Sequence, residues 1–324
     1  MMKAIRVLKQ GGPEVLTLSE IDKPSPSKTQ VVVKVQACGV NPVDTYLRSG
    51  TNNYKITTPW TPGHDAAGVI DTIGDDVTNV KVGDRVWTQK TQTGSYAQYT
   101  LCEATDVNPL PENVSFEQGA AVNVPYATAY FALKIRGRAK PGETVLIHGA
   151  SGGVGVAATQ FAKGLGMTII GTAGTKEGLE LIKKNGCHFA FNHREEGYLD
   201  AISAATGGKG VDIVLEMLAN VNLQKDLELL ALRGRVAIIG NRGSIEINPR
   251  NLMGRLGDIL GVALAHATPE DRKEINAAIY AGLSNGTLSP MIWQSMALAD
   301  ASKAHEQVIN PPKGAQGKLI LTPW

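Results

Sequence analysis

Apolar and polar residues alternate in short bursts along the first 120 or so positions: "KAIRVL", "QVVVKVQACGV", "AAGVIDTIG", "DRVWT" and "SYAQYTL", separated by Gly, Pro and Asp. A period of two turns one face of a strand to a core and the other to water, so this half predicts a mainly antiparallel β domain. From Tyr126 the rhythm changes. The runs "ETVLIHG", "MTIIGTAG", "HFAFN", "VDIVLEML" and "RVAIIG" are short, apolar and separated by longer helical stretches. Strands buried on both faces and joined by crossover helices predict a parallel, doubly wound α/β sheet. The closing stretch, "KAHEQVINPPKGAQGKLILTPW", predicts a helix and then a strand, "KLILT", returning to the β domain. At 324 residues the chain exceeds what one core serves, and two domains are expected.

Between the first of the apolar runs and the next helix lies "HGASGGVG". Gly149, Gly152 and Gly155 are three apart, with Gly153 beside them. Glycines in this strand, turn and helix context let the backbone approach a pyrophosphate at the helix N-terminus. Where NAD enzymes commonly carry an acid for the adenosine ribose, about 20 residues on, this chain reads "GTAGTKEG": Gly171 to Thr175 are uncharged and Lys176 follows. The missing acid and the nearby cation point to NADPH. His193 and Arg194, in "NHREE", add donor or positive groups to the same pocket, while Lys176 reads equally well as a solvated lysine at a helix start.

Charge and composition narrow the class. With 32 Lys and Arg against 30 Asp and Glu, the formal charge is +2, and no block of like charge marks a tail for nucleic acid or membrane. The densest basic cluster, Lys134, Arg136, Arg138 and Lys140, reads as a solvated helix end. No apolar run reaches the roughly 18 residues of a membrane span, and the N-terminus lacks the apolar core of a signal peptide. Three scattered cysteines, Cys38, Cys102 and Cys187, suit a reducing compartment, which makes the cytoplasm the expected location.

The strings "GGPEVL", "ACGVNPVDTYLRSG", "TPGHDAAGVI", "HGASGGVGVAA", "FNHREE", "EMLANVNLQKDL" and "IEINPRNLM" resemble the medium-chain dehydrogenase/reductase superfamily, in its zinc-free quinone oxidoreductase branch, the zeta-crystallins. The resemblance covers essentially the whole chain. It implies a GroES-like catalytic domain from residues 1–124 and 266–324, a Rossmann NADPH-binding domain from 125–265, and NADPH-dependent reduction of quinones, with electrons passing singly and a semiquinone released as one form of the reaction. It assigns Ser151, Gly152, Gly153 and Val154 to the pyrophosphate loop and Gly174, Lys176 and His193 to the adenosine-ribose pocket. Asn222, Ile239, Gly240, Asn241 and Arg242 fall near the ends of later strands, where ligands of open sheets collect. Asn222 reads equally as a cap of the helix "LQKDLELL". Asn41 and Tyr46 would lie at the nicotinamide end as the catalytic, positioning groups, with Thr128 and Tyr130 lining the same pocket. A homo-oligomer, dimer or tetramer, is also implied.

Two departures qualify the resemblance. His64, in "GHD", matches a catalytic zinc ligand of the zinc-dependent relatives, but Asn41 and Val124 stand where those place cysteines. One histidine cannot replace the three converging protein ligands of a catalytic zinc, so no metal is expected and His64 reads as a polar residue at the site wall. Relatives also carry an aromatic two residues after the glycine of "RSG", where this chain has Asn52, with Tyr54 displaced. That weakens an enoyl-thioester reading. The alternatives are a zinc-free reductase of activated alkenes and, in another class, an NADPH-binding crystallin-type or AU-rich-RNA-binding protein. The latter would call for a stronger basic face and stacking aromatics.

Overall fold

The computed structural model describes residues 1–324, the side chain of Asn52 apart. The chain divides into two compact units: Met1–Val124 with Tyr280–Pro312 and Gly317–Trp324, and Pro125–Ile279 with Lys313–Gln316.

The first unit holds strands β1 (Met2–Arg6), β2 (Thr17–Ile21), β3 (Gln30–Gly39), β4 (Asp65–Ile73), β5 (Arg85–Thr88), β6 (Tyr99–Glu103) and β7 (Val107–Pro109). The second holds β8 (Thr144–Ile147), β9 (Thr168–Ala173), β10 (Phe189–Asn192), β11 (Val211–Glu216), β12 (Leu230–Ile238) and β13 (Asp258–Gly261), after which β14 (Ile292–Ala297) and β15 (Lys318–Thr322) return to the first.

In the first unit β1 and β2 form a ribbon, and a seven-stranded sheet runs β14-β15-β3-β4-β5-β7, with β6 also on β3. β3 is its spine, antiparallel to β4, β6 and β15. Only β14 and β15 pair in parallel, so the expectation of a mainly antiparallel, GroES-like domain holds. "KLILT" is β15, as its pattern predicts. Ile5, Val35, Val40, Tyr96, Leu319 and Leu321 pack one core that both chain ends build.

The second unit is a six-stranded sheet in the order β10-β9-β8-β11-β12-β13, parallel at every pairing. Sequence order runs outward from β8 in both directions, so the switch point lies between β8 and β11, the doubly wound arrangement expected. Val145, Leu146, Ile147, Ile213, Val214 and Leu215 are fully buried, which is why their runs show no alternation. Helix Gly153–Gly164 buries Val156, Ala157, Thr159 and Ala162.

The second changeover falls at Ile279/Tyr280, inside helix Pro269–Asn285, where the sequence reading places it at 265/266. A change of pattern marks where a helix starts, not how far along it one unit's packing gives way to the next. Lys313–Gln316 is a second crossing that no periodicity announces: it belongs to the Rossmann unit, where the Thr175 hydroxyl donates to the Lys313 carbonyl at 3.2 Å.

One buried cation fastens the first strand of the parallel sheet to its neighbours. The Arg235 guanidinium grips Glu143 with two bonds of 2.8 and 2.7 Å and donates to the carbonyls of Gly137, Asp212 and Arg138. Arg235→Met leaves Glu143 without its partner and those carbonyls without donors. It is expected to lower the unfolding free energy by about 3 kcal/mol, measured by urea titration.

Candidate active site

The carboxyl ends of the parallel strands carry most of the residues that the sequence nominates. Ser151 to Val154 follow β8, Gly174 and Lys176 follow β9, His193 follows β10, Asn222 follows β11, and Ile239 to Arg242 follow β12. The glycine loop is pinned to β9: Ala150 N–H donates to the Thr172 carbonyl at 2.9 Å, and Gly149 N–H to the Thr172 hydroxyl at 3.3 Å. A Cβ on Gly155 would come 2.4 Å from the Gly149 carbonyl oxygen, so only glycine lets the helix sit this close to the loop. No side chain caps the helix that starts at Gly153. Its first N–H groups and its dipole suit a pyrophosphate.

The adenosine end fits a phosphate as well. A Cβ on Gly174 would lie 2.7 Å from His193 Nε2 and 2.9 Å from Arg194 Nε, so both side chains converge over this glycine. Burial, then the charges of His148 and Arg194, lower the His193 pKa. The imidazole is therefore a neutral donor or acceptor, and positive charge comes from Arg194 and the exposed Lys176. Beyond β12 and β13, Ile239, Gly240 and Asn241 line a cavity of about 560 Å³. Arg136, Val262 and His266 line it too and escaped the sequence reading. Arg136 is placed there by its bond to the Gly261 carbonyl at 3.1 Å. Thr128 is buried, and the Tyr130 hydroxyl donates to Glu274 at 2.9 Å.

Asn222 is not a helix cap. The helix begins at Ala219, and Asn222 sits in its first turn, donating to Glu216 Oε1 at 3.3 Å. Behind it, His148 Nε2 meets Asp226 Oδ1 at 2.9 Å and Glu216 Oε2 at 3.6 Å. These three buried side chains bring possible ligand atoms within 4.8 Å of one another and could hold a cation. Glu216 Oε2 and Asp226 Oδ2 are buried with no other donor, and a proton held between the two carboxyls satisfies both. Burial raises each carboxyl to about 7. A carboxyl whose folded pKa lies above its unfolded value stabilises the fold at low pH, and that contribution is lost as pH rises through about 7. The protein is expected to lose more stability between pH 6 and pH 8 than the Asp226→Asn variant does, measured by thermal unfolding across that range.

Asn41 and Tyr46 lie in the first unit. Asn41 caps helix Pro42–Ser49 and is itself buried. Its amide NH2 donates to Asp65 Oδ2 at 2.9 Å, and its amide oxygen accepts from Lys318 Nζ. Lys318 Nζ also lies 3.0 Å from Asp65 Oδ2, and Asp65 Oδ1 accepts from Asn123 Nδ2 and the Val124 N–H. Tyr46, on the same helix, is half-buried. Zinc does not fit these residues. Asn41 and Val124 offer no thiolate, and the Lys318 ammonium already fills the cation position beside Asp65. The departure at Asn52 concerns a side chain outside the described residues.

His64 joins a second network. Its Nδ1 lies 3.1 Å from Asp44 Oδ1; Asp44 Oδ2 accepts from the Asn41 N–H at 2.9 Å and the Tyr96 hydroxyl at 3.2 Å. His305 Nε2 is 3.2 Å from that hydroxyl, and His305 Nδ1 is 3.2 Å from Arg48 NH1. The sequence reading missed Asp65, Lys318, Asp44 and His305. No local spacing links Asn41 to Lys318, 277 residues on.

Two family models match the chain. One, "Alcohol dehydrogenase GroES-like domain", covers residues 27–112, and the other, "Zinc-binding dehydrogenase", covers residues 153–280. They set the class, a medium-chain dehydrogenase/reductase built from a GroES-like and a Rossmann unit. A quinone oxidoreductase of Sus scrofa is 51% identical over 99% of this chain and 98% of its own. Quinone oxidoreductase 1 of Escherichia coli K12 is 31% identical over both full lengths. The crystal structure of Escherichia coli quinone oxidoreductase complexed with NADPH superposes with a TM-score of 0.90 at 32% identity, covering 99% of this chain and 100% of that one. The chain belongs to the quinone oxidoreductase family of this superfamily. No helix is long and apolar enough to cross a membrane.

Proposed function

We infer that the protein reduces quinones with NADPH. The full-length likeness to quinone oxidoreductases supports the reaction, and one geometric observation carries the cofactor: the acid-free end of β9, where Gly174 lies under His193 and Arg194. An acid there would repel a 2′-phosphate, and a cation attracts it. NADPH, when bound, supplies the hydride.

The chain's own residues then bind and orient. Ser151, Gly152, Gly153 and Val154 hold the pyrophosphate through backbone N–H groups; Gly174, Lys176 and His193, with Arg194, hold the adenosine phosphate. Asn222, Ile239, Gly240, Asn241 and Arg242 hold the nicotinamide half, with Thr128 and Tyr130. Asn41 and Tyr46 position the nicotinamide and the acceptor from the GroES-like unit. Tyr46 offers a hydroxyl; Asn41, with its amide tied to Asp65 and Lys318, acts by fixing the helix it caps. This reading also takes the Rossmann unit as the NADPH-binding domain, the GroES-like unit as the catalytic one, the assembly as a dimer or tetramer, and the cytoplasm as the location. Three buried free cysteines suit a reducing compartment.

Stopped-flow oxidation of NADPH and, in parallel, NADH by 9,10-phenanthrenequinone tests the reading. NADPH is expected to be used at least about tenfold more efficiently, since a single desolvated phosphate contact is worth about 1.4 kcal/mol or more. Arg194→Ala is expected to erode that preference through the KM for NADPH. Equal use of NADH would remove the phosphate pocket from the account, and binding without turnover would remove the quinone.

A further inference from the structure

Glu216, the last residue of β11, is fully buried and bonded to three parts of the Rossmann unit's strand-end edge at once. Its Oε1 accepts from the Leu218 N–H and from Asn222 Nδ2 at 3.3 Å, which holds the start of helix Ala219–Leu229 against the strand. Its backbone carbonyl accepts from the N–H groups of Ile239, at 2.9 Å, and Gly240, at 3.2 Å. Asn222, Ile239 and Gly240 are the residues assigned above to the nicotinamide half. The third tie runs through His148, whose Nε2 is 3.6 Å from Glu216 Oε2 and which precedes Gly149 of the glycine loop.

Hydrogen bonding fixes where the protons of this cluster lie. The Thr172 hydroxyl oxygen accepts from the Gly149 N–H at 3.3 Å, and its O–H donates to His148 Nδ1, also at 3.3 Å. His148 Nε2 therefore carries the ring proton and donates it to Asp226 Oδ1 at 2.9 Å. Burial lowers the His148 pKa against the pull of Glu216, which keeps the ring neutral. Two ligand atoms on one tetrahedral zinc stand about 3.4 Å apart, given metal–ligand distances of about 2.1 Å. The 2.9 Å contact is thus a hydrogen bond and not a ligand pair. Glu216 and Asp226 also bond to one another, and Glu216 Oε2 and Asp226 Oδ2 have no donor from elsewhere. One proton between the carboxyls serves both and leaves the pair with a single negative charge.

We propose that Glu216 is a positioning residue for NADPH and that the Glu216–Asp226 pair takes up a proton when the cofactor binds. The proposal rests on the reading that NADPH lies along the carboxyl edge of the Rossmann unit. Positioning follows from the bonds: the Glu216 side chain holds Leu218 and Asn222, and its carbonyl holds Ile239 and Gly240. Proton uptake follows from charge. The phosphates of NADPH are anionic, and the bound cofactor excludes water from the edge; both effects disfavour a second negative charge on the pair. The proton comes from solvent and joins a carboxylate oxygen, and no electrons move.

The pH dependence has a definite sign. Burial raises both carboxyls to about 7, and they titrate as a pair. Facing them are His148 from β8, Tyr198 from helix Tyr198–Ala205, and Lys225, which is on the same helix as Asp226. His193 and Arg194 stand beyond His148. Burial lowers His148 and His193 and raises Tyr198, so all three are neutral above pH 7. The 2′-phosphate of NADPH has its second pKa at about 6. From pH 7 to pH 8.5 the acid pair is therefore the titrating group of the cluster. A bound anion favours its protonated form, so NADPH affinity falls as pH rises through that range.

The test is isothermal titration calorimetry of NADPH in PIPES, HEPES and imidazole buffers, whose different heats of ionisation turn the observed heat into a count of protons. At about pH 7.5 the unsubstituted protein is expected to take up about half a proton per NADPH, as for a pair whose apparent pKa moves from about 7 to about 8 on binding. Its NADPH affinity is expected to fall about fourfold from about pH 7 to about pH 8.5. Asp226→Asn and Glu216→Gln each put a fixed N–H where the shared proton would sit, and the remaining carboxylate accepts it. Both are expected to bind NADPH with no proton uptake and with an affinity that is flat over that range. Glu216→Ala removes the acceptor of Leu218 and Asn222 and is expected to weaken NADPH about tenfold at every pH, a loss that Glu216→Gln does not share. Uptake in both amide variants equal to that of the unsubstituted protein overturns the protonation, and unweakened binding by Glu216→Ala overturns the positioning. If the unsubstituted protein binds NADPH without taking up a proton, the linkage fails while the cofactor reading stands. If it binds no NADPH at any pH, the cofactor reading fails and takes the proposal with it.

Discussion

A single buried ammonium holds the GroES-like unit's site together. Lys318 Nζ sits between the Asp65 carboxylate and the Asn41 amide oxygen. It comes from the first residue of β15, at the far end of the chain, while Asp65 opens β4 and Asn41 caps the helix that bears Tyr46. A cation and a carboxylate this deep are tolerable only as a pair, because either one alone would carry an uncompensated desolvation cost of several kcal/mol. The network therefore forms only when β15 has docked on β3. The position of Asn41 is thus conditional on the folding of the last strand, and a residue more than 270 positions away holds its amide in place.

The Rossmann unit solves a different problem by topology. Apart from Thr128 and Tyr130, its nominated residues follow five separate strands, yet parallel strands put every one of those strand ends at the same edge of the sheet. What remains to be specified is fine: a glycine at Gly155 so the helix can approach, a loop pinned by Thr172, and an uncapped helix start. A buried acid pair stands directly behind this edge, with Glu216 holding both Asn222 and the Leu218 N–H. Burial raises both Glu216 and Asp226 to about 7, which limits the negative charge at the end of β11.

The division between what the sequence disclosed and what it withheld follows from range. Strands such as "QVVVKVQACGV" and "VDIVLEML", the glycine loop and the missing acid after β9 are local patterns, and the structure places them as read. β2 was invisible because "TLSEI" buries no residue fully, and β14 because its run mixes polar and apolar without period. The same rule applies to the site. Arg136, Val262 and His266 reach the cavity by routes no spacing encodes. Asn41 was found as an absent cysteine, but the reason it is an asparagine, its place between Lys318 and Asp65, appears only once distant strands meet.

That asparagine and lysine also bear on the histidine beside Asp65. In a metal site, a ring nitrogen of His64 would be spent on a cation held jointly with sulfur ligands. Here the Lys318 ammonium supplies the buried positive charge next to Asp65, without an open coordination position. His64 keeps its Nδ1 tied to Asp44. A metal stabilises the negative charge growing on a reduced oxygen by proximity, and how much that helps depends on the acceptor. An alkoxide formed from a simple carbonyl is a strong base that gains greatly from a Lewis acid. A hydroquinone anion spreads its charge over a ring and needs only a donor of ordinary acidity.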